Sequence, residues 1–341
     1  MKTVAIAGAS GYAGAELIRL IHNHPNFELK TSAAGSNAGS KLSEVHPQFA
    51  AVPQLADLKF VDTRLENLAA DLIFFALPHG QSAELISKLS SDQFVVDLGA
   101  DFRLTDRDQW DKFYGGSYAG SFTYGLPELG QREEISRAKK VANPGCYATA
   151  IELGLAPILK ATATKVHDII VVAASGTSGA GRNAKVNLLG SEVMGSLSPY
   201  KVGGTHQHTP EIEQMVSDFA GVEAHLNFTP ILAPMPRGIL ATISVLTVDN
   251  EDTLRTALVN QYRDEPFVQV LPEGQLPNTA STLGSNAVHI QVAKDDRLNR
   301  ATVFVALDNL VKGAAGQAVQ NANLMFGFNE TAGLSAIGVA P

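Results

Sequence analysis

The chain has 341 residues, 45% of them hydrophobic, a formal net charge of −8 and a single cysteine. That length allows two domains or one large one, with a core that needs no disulfide staples. One cysteine excludes an internal disulfide, the acidity argues against a nucleic-acid binder, and no uncharged run reaches membrane-spanning length.

Met1-Lys2-Thr3 leads directly into a strand pattern rather than a signal peptide, so a soluble, cytoplasmic protein is expected. Thr3 to Ala7 is a short apolar strand. Ala13 to His24 has helical spacing at Leu17, Leu20 and Ile21, and Pro25 follows. Phe27 to Ala33 reads as a second strand, and Leu72 to Leu77 and Phe94 to Leu98 as further apolar ones. Apolar strands alternating with helices predict a parallel sheet covered on both faces. After residue 146 the texture changes. Asp168–Ala174, Ala224–Thr229, Ile239–Val248, Val288–Ala293 and Thr302–Leu307 look like longer strands, several of them alternating, with a helix over Asp252–Arg263. The expected fold class is therefore α/β: a Rossmann-type doubly wound parallel sheet plus an α+β second domain with a mixed or antiparallel sheet. Residues 1–146 form the first domain and 147–309 the second. A helix starting at Leu310, within 310–330, is expected to pack back on the first.

Gly8-Ala9-Ser10-Gly11-Tyr12-Ala13-Gly14 joins the first strand to the first helix as G-x-x-G-x-x-G, a variant dinucleotide fingerprint. A merely tight turn is the bland alternative, and the position opening a βαβ unit favours the cofactor. The second strand ends in Thr31-Ser32-Ala33-Ala34-Gly35-Ser36-Asn37, without the acid that usually holds an NAD ribose. Ser32, Ser36, Asn37 and Lys41 are placed instead to hold a 2′-phosphate, so NADP(H) is expected.

Cys146 follows the turn-forming Asn143-Pro144-Gly145 and precedes a helix-like run from Tyr147 to about Lys160. A helix N-terminus favours an anion and lowers a thiol pKa, which predicts a nucleophile. On position alone, a small buried hydrophobe is an equal alternative. Ser175-Gly176-Thr177-Ser178-Gly179-Ala180-Gly181-Arg182 is a second glycine loop, with Ser178 and Gly179 allowing close packing on a ligand and Arg182 offering a guanidinium fork. In Gly204-Thr205-His206-Gln207-His208-Thr209-Pro210-Glu211 the two histidines lack a nearby Cys or an HExxH helix, so zinc is disfavoured and no metal is expected. One histidine is read as acid/base, with Thr209 as helix N-cap and Glu211 orienting the ring. A surface-loop role for His206 remains the rival. Arg103, at the end of a parallel strand, and Arg237 are further candidates for a phosphate or carboxylate, against the alternative of surface salt bridges.

Taken together, Gly-Ala-Ser-Gly-Tyr-Ala-Gly at 8–14, Ser-Glu-Val-His-Pro at 43–47, Asn-Pro-Gly-Cys-Tyr at 143–147, Ser-Gly-Thr-Ser-Gly-Ala-Gly-Arg at 175–182, His-Gln-His-Thr-Pro-Glu at 206–211 and Asp-Asn-Leu-Val-Lys-Gly-Ala-Ala at 308–315 resemble N-acetyl-gamma-glutamyl-phosphate reductase across essentially the whole chain. The resemblance implies an NADPH-dependent step of arginine biosynthesis and kinship with aspartate-semialdehyde dehydrogenase. It implies Cys146 as nucleophile, His208 as base and Asn309, with Leu310, near the nicotinamide. Thr177 stands where the family usually has Val, and Ala33 where many relatives have an Arg.

The expected site is then Cys146, His208 and Glu211 for chemistry. Gly8, Ser10, Gly11, Tyr12, Ala13, Gly14, Ser36, Asn37, Pro78, Ser178, Gly179 and Asn309 are expected at the cofactor, and Arg103, Arg182, His206 and Arg237 at the substrate. Expected partners are a small acyl phosphate or semialdehyde and inorganic phosphate, with a homo-oligomer (dimer or tetramer) and neither nucleic acid nor membrane. Two rivals stay open: a related acyl-phosphate reductase of aspartyl or aminoadipyl type, and a non-catalytic NADP-binding regulator.

Overall fold

The structure, a computed structural model, describes residues 1–162 and 166–340. Its first sheet holds six parallel strands in the order β2-β1-β3-β4-β6-β5. These are β1 (Lys2–Ala7), β2 (Phe27–Ala33), β3 (Leu72–Phe75), β4 (Phe94–Asp97), β5 (Thr123–Tyr124) and β6 (Lys140–Ala142). All four residues of β3, Leu-Ile-Phe-Phe, are buried, because helices or loops cover both faces of a parallel sheet. The Tyr12–His22 helix buries Leu17, Ile18, Leu20 and Ile21 and stops three residues before Pro25.

The second sheet has seven strands in the order β11-β12-β13-β10-β7-β9-β8. They are β7 (His167–Ser175), β8 (Ser198–Pro199), β9 (Leu226–Leu232), β10 (Ile239–Leu246), β11 (Val268–Val270), β12 (Val288–Asp295) and β13 (Arg300–Leu307). Pairing is mixed: β10 runs antiparallel to β7 and β13, whereas β7 and β9 are parallel. In β7, Ile169, Val171 and Ala173 are buried while Ile170 and Val172 are exposed, so one face of this sheet is the core. The Cys146–Thr162 helix lies on that face. A Cβ on Gly154 would be 2.6 Å from Ile243 Cδ1, so glycine lets the helix ride close to β10.

The expected last helix starts differently. Val311–Ala315 is a π-helical turn, with Gly313 N–H donating to Asp308 O and Ala315 N–H to Leu310 O at 2.9 Å each, and only Gly316–Met325 is α-helical. Ala315, Ala318, Val319, Ala322 and Met325 share one apolar cluster with Val4, Ile6 and Leu17 of the first sheet's layer. The pairs β5/β6 and β8/β11 went unread in the sequence because two or three residues leave no periodicity. Among the described residues, no helix is long and apolar enough to cross a membrane.

Candidate active site

The carboxyl ends of the parallel strands open onto one cleft of about 990 Å³. Gly8 follows β1, Ala76 and Pro78 follow β3, Leu98 follows β4, and Asn143 follows β6; all line it. Ligands of open α/β sheets bind at this edge. The opposite wall comes from the second sheet's side, through Ser178, Gly179, Arg182, His208 and Asn309.

The glycines of the first loop have separate tasks. Gly8 has φ +86°, and a Cβ there would meet Ala76 O at 2.3 Å. A Cβ on Gly14 would meet Gly8 O at 2.5 Å, so this glycine lets the helix pack on the strand turn and does not line the cleft. Gly11 caps the helix without a side-chain bond, and Ser10, Gly11, Tyr12 and Ala13 line the cleft, an arrangement suited to a pyrophosphate. Ser36 and Asn37 also line it. Ser32 does not: it is buried, and its hydroxyl has no partner among the described residues. Lys41 is tied to Asp57 at 2.6 Å, away from the lining.

Cys146 opens its helix, and Gly313 packs directly on it: a Cβ on Gly313 would be 2.8 Å from Cys146 Cβ. Gly145, just before it, packs on both His208 and Arg103, since a Cβ there would lie 2.4 Å from His208 Nε2 and 2.8 Å from Arg103 Nη1. Cys146, His208 and Arg103 all line the cleft, the latter two packed on the residue before Cys146. The expected low thiol pKa does not hold in this structure. Burial pushes the thiol up to about 11, outweighing the Arg103 charge and the Tyr147 amide. Burial, with Arg103 and Lys201 adding repulsion, holds the His208 imidazole down at about 3, so it rests neutral and able to accept a proton.

Four further expectations are corrected by the contacts. Glu211 does not orient His208. Its Oε1 accepts from Gly145 N–H at 2.7 Å and Tyr124 OH at 2.8 Å, and its Oε2 from Arg103 at 3.2 Å. His208 Nδ1 is buried without a partner among the described residues, and the ring is set by packing on His206 and Tyr147. His206 is neither a surface residue nor part of the cleft lining. It is 7% exposed, packed between Tyr147, Tyr200 and Phe228, with Nδ1 accepting from His208 N–H at 3.1 Å. Arg237 is fully engaged by Glu16 at 2.6 Å and Asp308 at 3.0 Å and lies outside this cleft. Arg182 lines the cleft, yet its guanidinium donates to Ser10 O and Val45 O and contacts His46, so it clips the second glycine loop to the first. A smaller correction concerns the cap: His208 is the N-cap of the Thr209–Ala220 helix, because Thr209 is already its first residue and its hydroxyl has no partner among the described residues.

Arg103 lines the cleft and is ion-paired with Glu211. Two of its nitrogens hold Glu211 and Leu98 O, while Nε is buried without a partner among the described residues. Asn309 is fixed at both ends, donating to Ser178 Oγ at 3.0 Å and accepting from Gly238 N–H at 2.7 Å. Sequence reasoning missed Tyr124 and Glu152, buried beneath the site, and Lys312, wholly buried against Glu128 at 2.5 Å. No motif marks the first two; Lys312 lay inside the quoted 308–315 run. Among the described residues, Glu128, Glu265 and Glu330 have metal-like spacing, but Lys312 and Arg132 already answer their charge.

Comparison with known proteins gives family-model matches to both parts of the chain. The model "Semialdehyde dehydrogenase, NAD binding domain" matches residues 3–138, and "Semialdehyde dehydrogenase, dimerisation domain" matches 146–309. N-acetyl-gamma-glutamyl-phosphate reductases of Acidothermus cellulolyticus, Salinispora arenicola and Frankia casuarinae are 57%, 56% and 54% identical, each over 99% of both chains. Among solved structures, aspartate semialdehyde dehydrogenase with NADP from Candida albicans has a TM-score of 0.71 at 15% identity, covering 96% of this chain and 98% of that one. The Vibrio cholerae aspartate semialdehyde dehydrogenase II complexed with ASA gives 0.69 at 17%, with the same coverage. Those two likenesses bear on the fold alone.

Proposed function

We propose, from the premise that this chain belongs to the N-acetyl-gamma-glutamyl-phosphate reductase family of semialdehyde dehydrogenases, that it reduces N-acetyl-L-glutamyl 5-phosphate to N-acetyl-L-glutamate 5-semialdehyde and phosphate, a step of arginine biosynthesis. The observation that carries the chemistry is the contact of Gly145, the residue before Cys146, with both His208 and Arg103.

The bound dinucleotide supplies hydride. The protein's own part begins with Cys146. As its sulfur bonds to the acyl carbon, the thiol proton passes to the neutral His208 imidazole, so no free thiolate has to accumulate in the buried site. The carbon–oxygen bond to phosphate breaks, and phosphate departs with the electron pair, leaving a thioester on Cys146. Once that carbon is reduced, His208 protonates the thiohemiacetal oxygen. It recovers the proton as the carbon–sulfur bond breaks and the aldehyde leaves, then returns it to the sulfur, which departs with the bonding pair, so the thiol and the neutral imidazole are restored. The amides at the start of the Cys146–Thr162 helix are suited to the developing oxyanion. Arg103, which lines the cleft and whose Nε has no partner among the described residues, is the residue assigned to the substrate's anionic end.

The cofactor is a nicotinamide dinucleotide, and the finer reading is NADP(H). In its support, Ser36 and Asn37 line the cleft, and the run from Thr31 to Asn37 carries no acid. Tighter binding of NADH than of NADPH ends that reading. The two domains divide at residue 146, with 310–330 rejoining the first; the matched spans 3–138 and 146–309 support this. A homo-oligomer through the second sheet is supported by its exposed Ile170 and Val172. The deciding assay follows NADPH absorbance with phosphate, NADP and N-acetyl-glutamate semialdehyde. NADPH forms with this substrate and not with aspartate semialdehyde; the opposite preference replaces the substrate assignment.

A further inference from the structure

Beneath Cys146, Tyr124 has one hydroxyl proton and three carboxylate oxygens around it. Glu211 Oε1 lies at 2.8 Å, Glu152 Oε1 at 2.9 Å and Glu152 Oε2 at 3.1 Å. Glu152 and Glu211 are both wholly buried. One O–H cannot serve two ionised carboxylates, and a buried carboxylate without donors is costly. A second proton must therefore reside on one of them. Glu211 is the poor host. It faces the Arg103 guanidinium and accepts the Gly145 amide in addition to the tyrosine. Glu152 has Tyr124 as its sole hydrogen-bond partner among the described residues.

Resting on the function proposed above, we infer that Glu152 is held as a neutral carboxylic acid and is a positioning residue for the nucleophile. Its O–H donates to the Tyr124 oxygen. Tyr124 is then free to donate to Glu211, and Glu211 stays an anion that holds both the Gly145 amide and Arg103 in place. Glu152 sits on the same helix as Cys146, so this chain ties the helix to the base of the cleft from inside. The charged and titratable groups facing Glu152 agree with the assignment. Burial and the Glu211 charge favour the neutral acid and outweigh Tyr124 and Arg103, while Tyr262, from the Glu251–Tyr262 helix, is itself held neutral by burial.

The test compares Glu152→Gln, whose amide still donates to Tyr124, with Glu152→Leu, which cannot. In infrared difference spectra at neutral pH, the Glu152→Gln protein is expected to lose a protonated-carboxyl C=O band that the parent shows. A parent without that band, or a parent-minus-variant difference spectrum in which no such band is lost, overturns the inference; a contribution from Asp97 is common to both proteins and cancels in the difference. In the assay, Glu152→Leu is expected to lower kcat roughly ten- to a hundredfold with KM for phosphate little moved, and Glu152→Gln to recover most of that loss. Equal losses in the two variants overturn the donor role. The infrared result needs no turnover. It therefore decides the proton's place even if the parent fails the substrate assay, and also if Glu152→Leu does not fold.

Discussion

A side chain on Gly145 as small as a methyl would stand 2.4 Å from His208 Nε2 and 2.8 Å from an Arg103 guanidinium nitrogen. The backbone before Cys146 is therefore part of the contact surface of His208. Gly145 is followed by the 17-residue helix that runs through the second core, so the helix start has little freedom to retreat. Gly145→Ala is expected to displace His208 and Arg103 and to lower kcat by on the order of 10²-fold, with the fold retained by circular dichroism. Turnover near that of the parent contradicts the close packing described.

Cys146→Ser tests the covalent route. A serine hydroxyl is a far weaker nucleophile than the thiol, and nothing in this site activates it beyond the neutral imidazole. Turnover is expected to vanish while NADPH titration, read by fluorescence, is unchanged. Retained turnover removes the thioester from the mechanism.

The two histidines separate by readout. His208 lines the cleft beside Gly145, and its replacement by Asn is expected to cost roughly 10²–10⁴-fold in kcat. His206 receives the His208 amide and is packed by three aromatic rings, so His206→Asn is expected chiefly to lower the unfolding midpoint, with a smaller loss of rate. A larger rate loss in His206→Asn reverses the pair.

What was legible in the sequence, and what was not, follows from how far each signal reaches along the chain. Both sheets and the glycine turn announce themselves through local periodicity and through residues few side chains can replace, Gly8 above all. Cys146 at a helix start was legible because Asn-Pro-Gly breaks the chain there. Partner choice was not. Arg237 and Arg103 look alike as isolated arginines, yet Arg237 is held by Glu16 and Asp308 outside the cleft, while Arg103, paired with Glu211, lines it and has an Nε without a partner among the described residues; the carboxylates involved come from 71 to 221 residues away. The thiol pKa failed for a related reason: the helix terminus is local and visible, whereas the burial that outweighs it is tertiary.

Arg237→Ala follows from that difference. Its guanidinium links Glu16, on the first helix, to Asp308, before the last one, and Asp308 also caps Leu310 and Val311. Removing it leaves the buried Asp308 without a cation among the described residues, while Glu16 keeps Arg19 at 2.8 Å. A loss of roughly 1–3 kcal/mol in denaturant unfolding is expected, between the usual values for exposed and buried pairs. KM for the acyl substrate is expected to change little. A large KM rise with unchanged stability returns Arg237 to the substrate site.

Asp97 gives the stability of this protein a pH slope of unusual sign. Burial, with repulsion from Asp101, raises its carboxyl from 3.8 to about 7, against the opposing pull of the Gly99 amide, Ser82 and Arg103. The folded state therefore keeps a proton that the unfolded chain has already released. Between about pH 4 and pH 7 the folded state binds more protons at this group, so its contribution to stability falls as pH rises, by at most about 1.4 kcal/mol per pH unit. His206 and His208, held down at about 2 and about 3, act in the opposite direction: the unfolded chain takes up their protons below about 6.5, and stability is lost as pH falls. The two effects overlap below pH 6.5, so the measurement is the difference between Asp97→Asn and the parent. Urea unfolding at about pH 5 and about pH 7.5 is expected to show the variant gaining on the parent as pH rises, because the amide cannot ionise. A difference that does not change with pH means that Asp97 is ionised in the folded protein across the range.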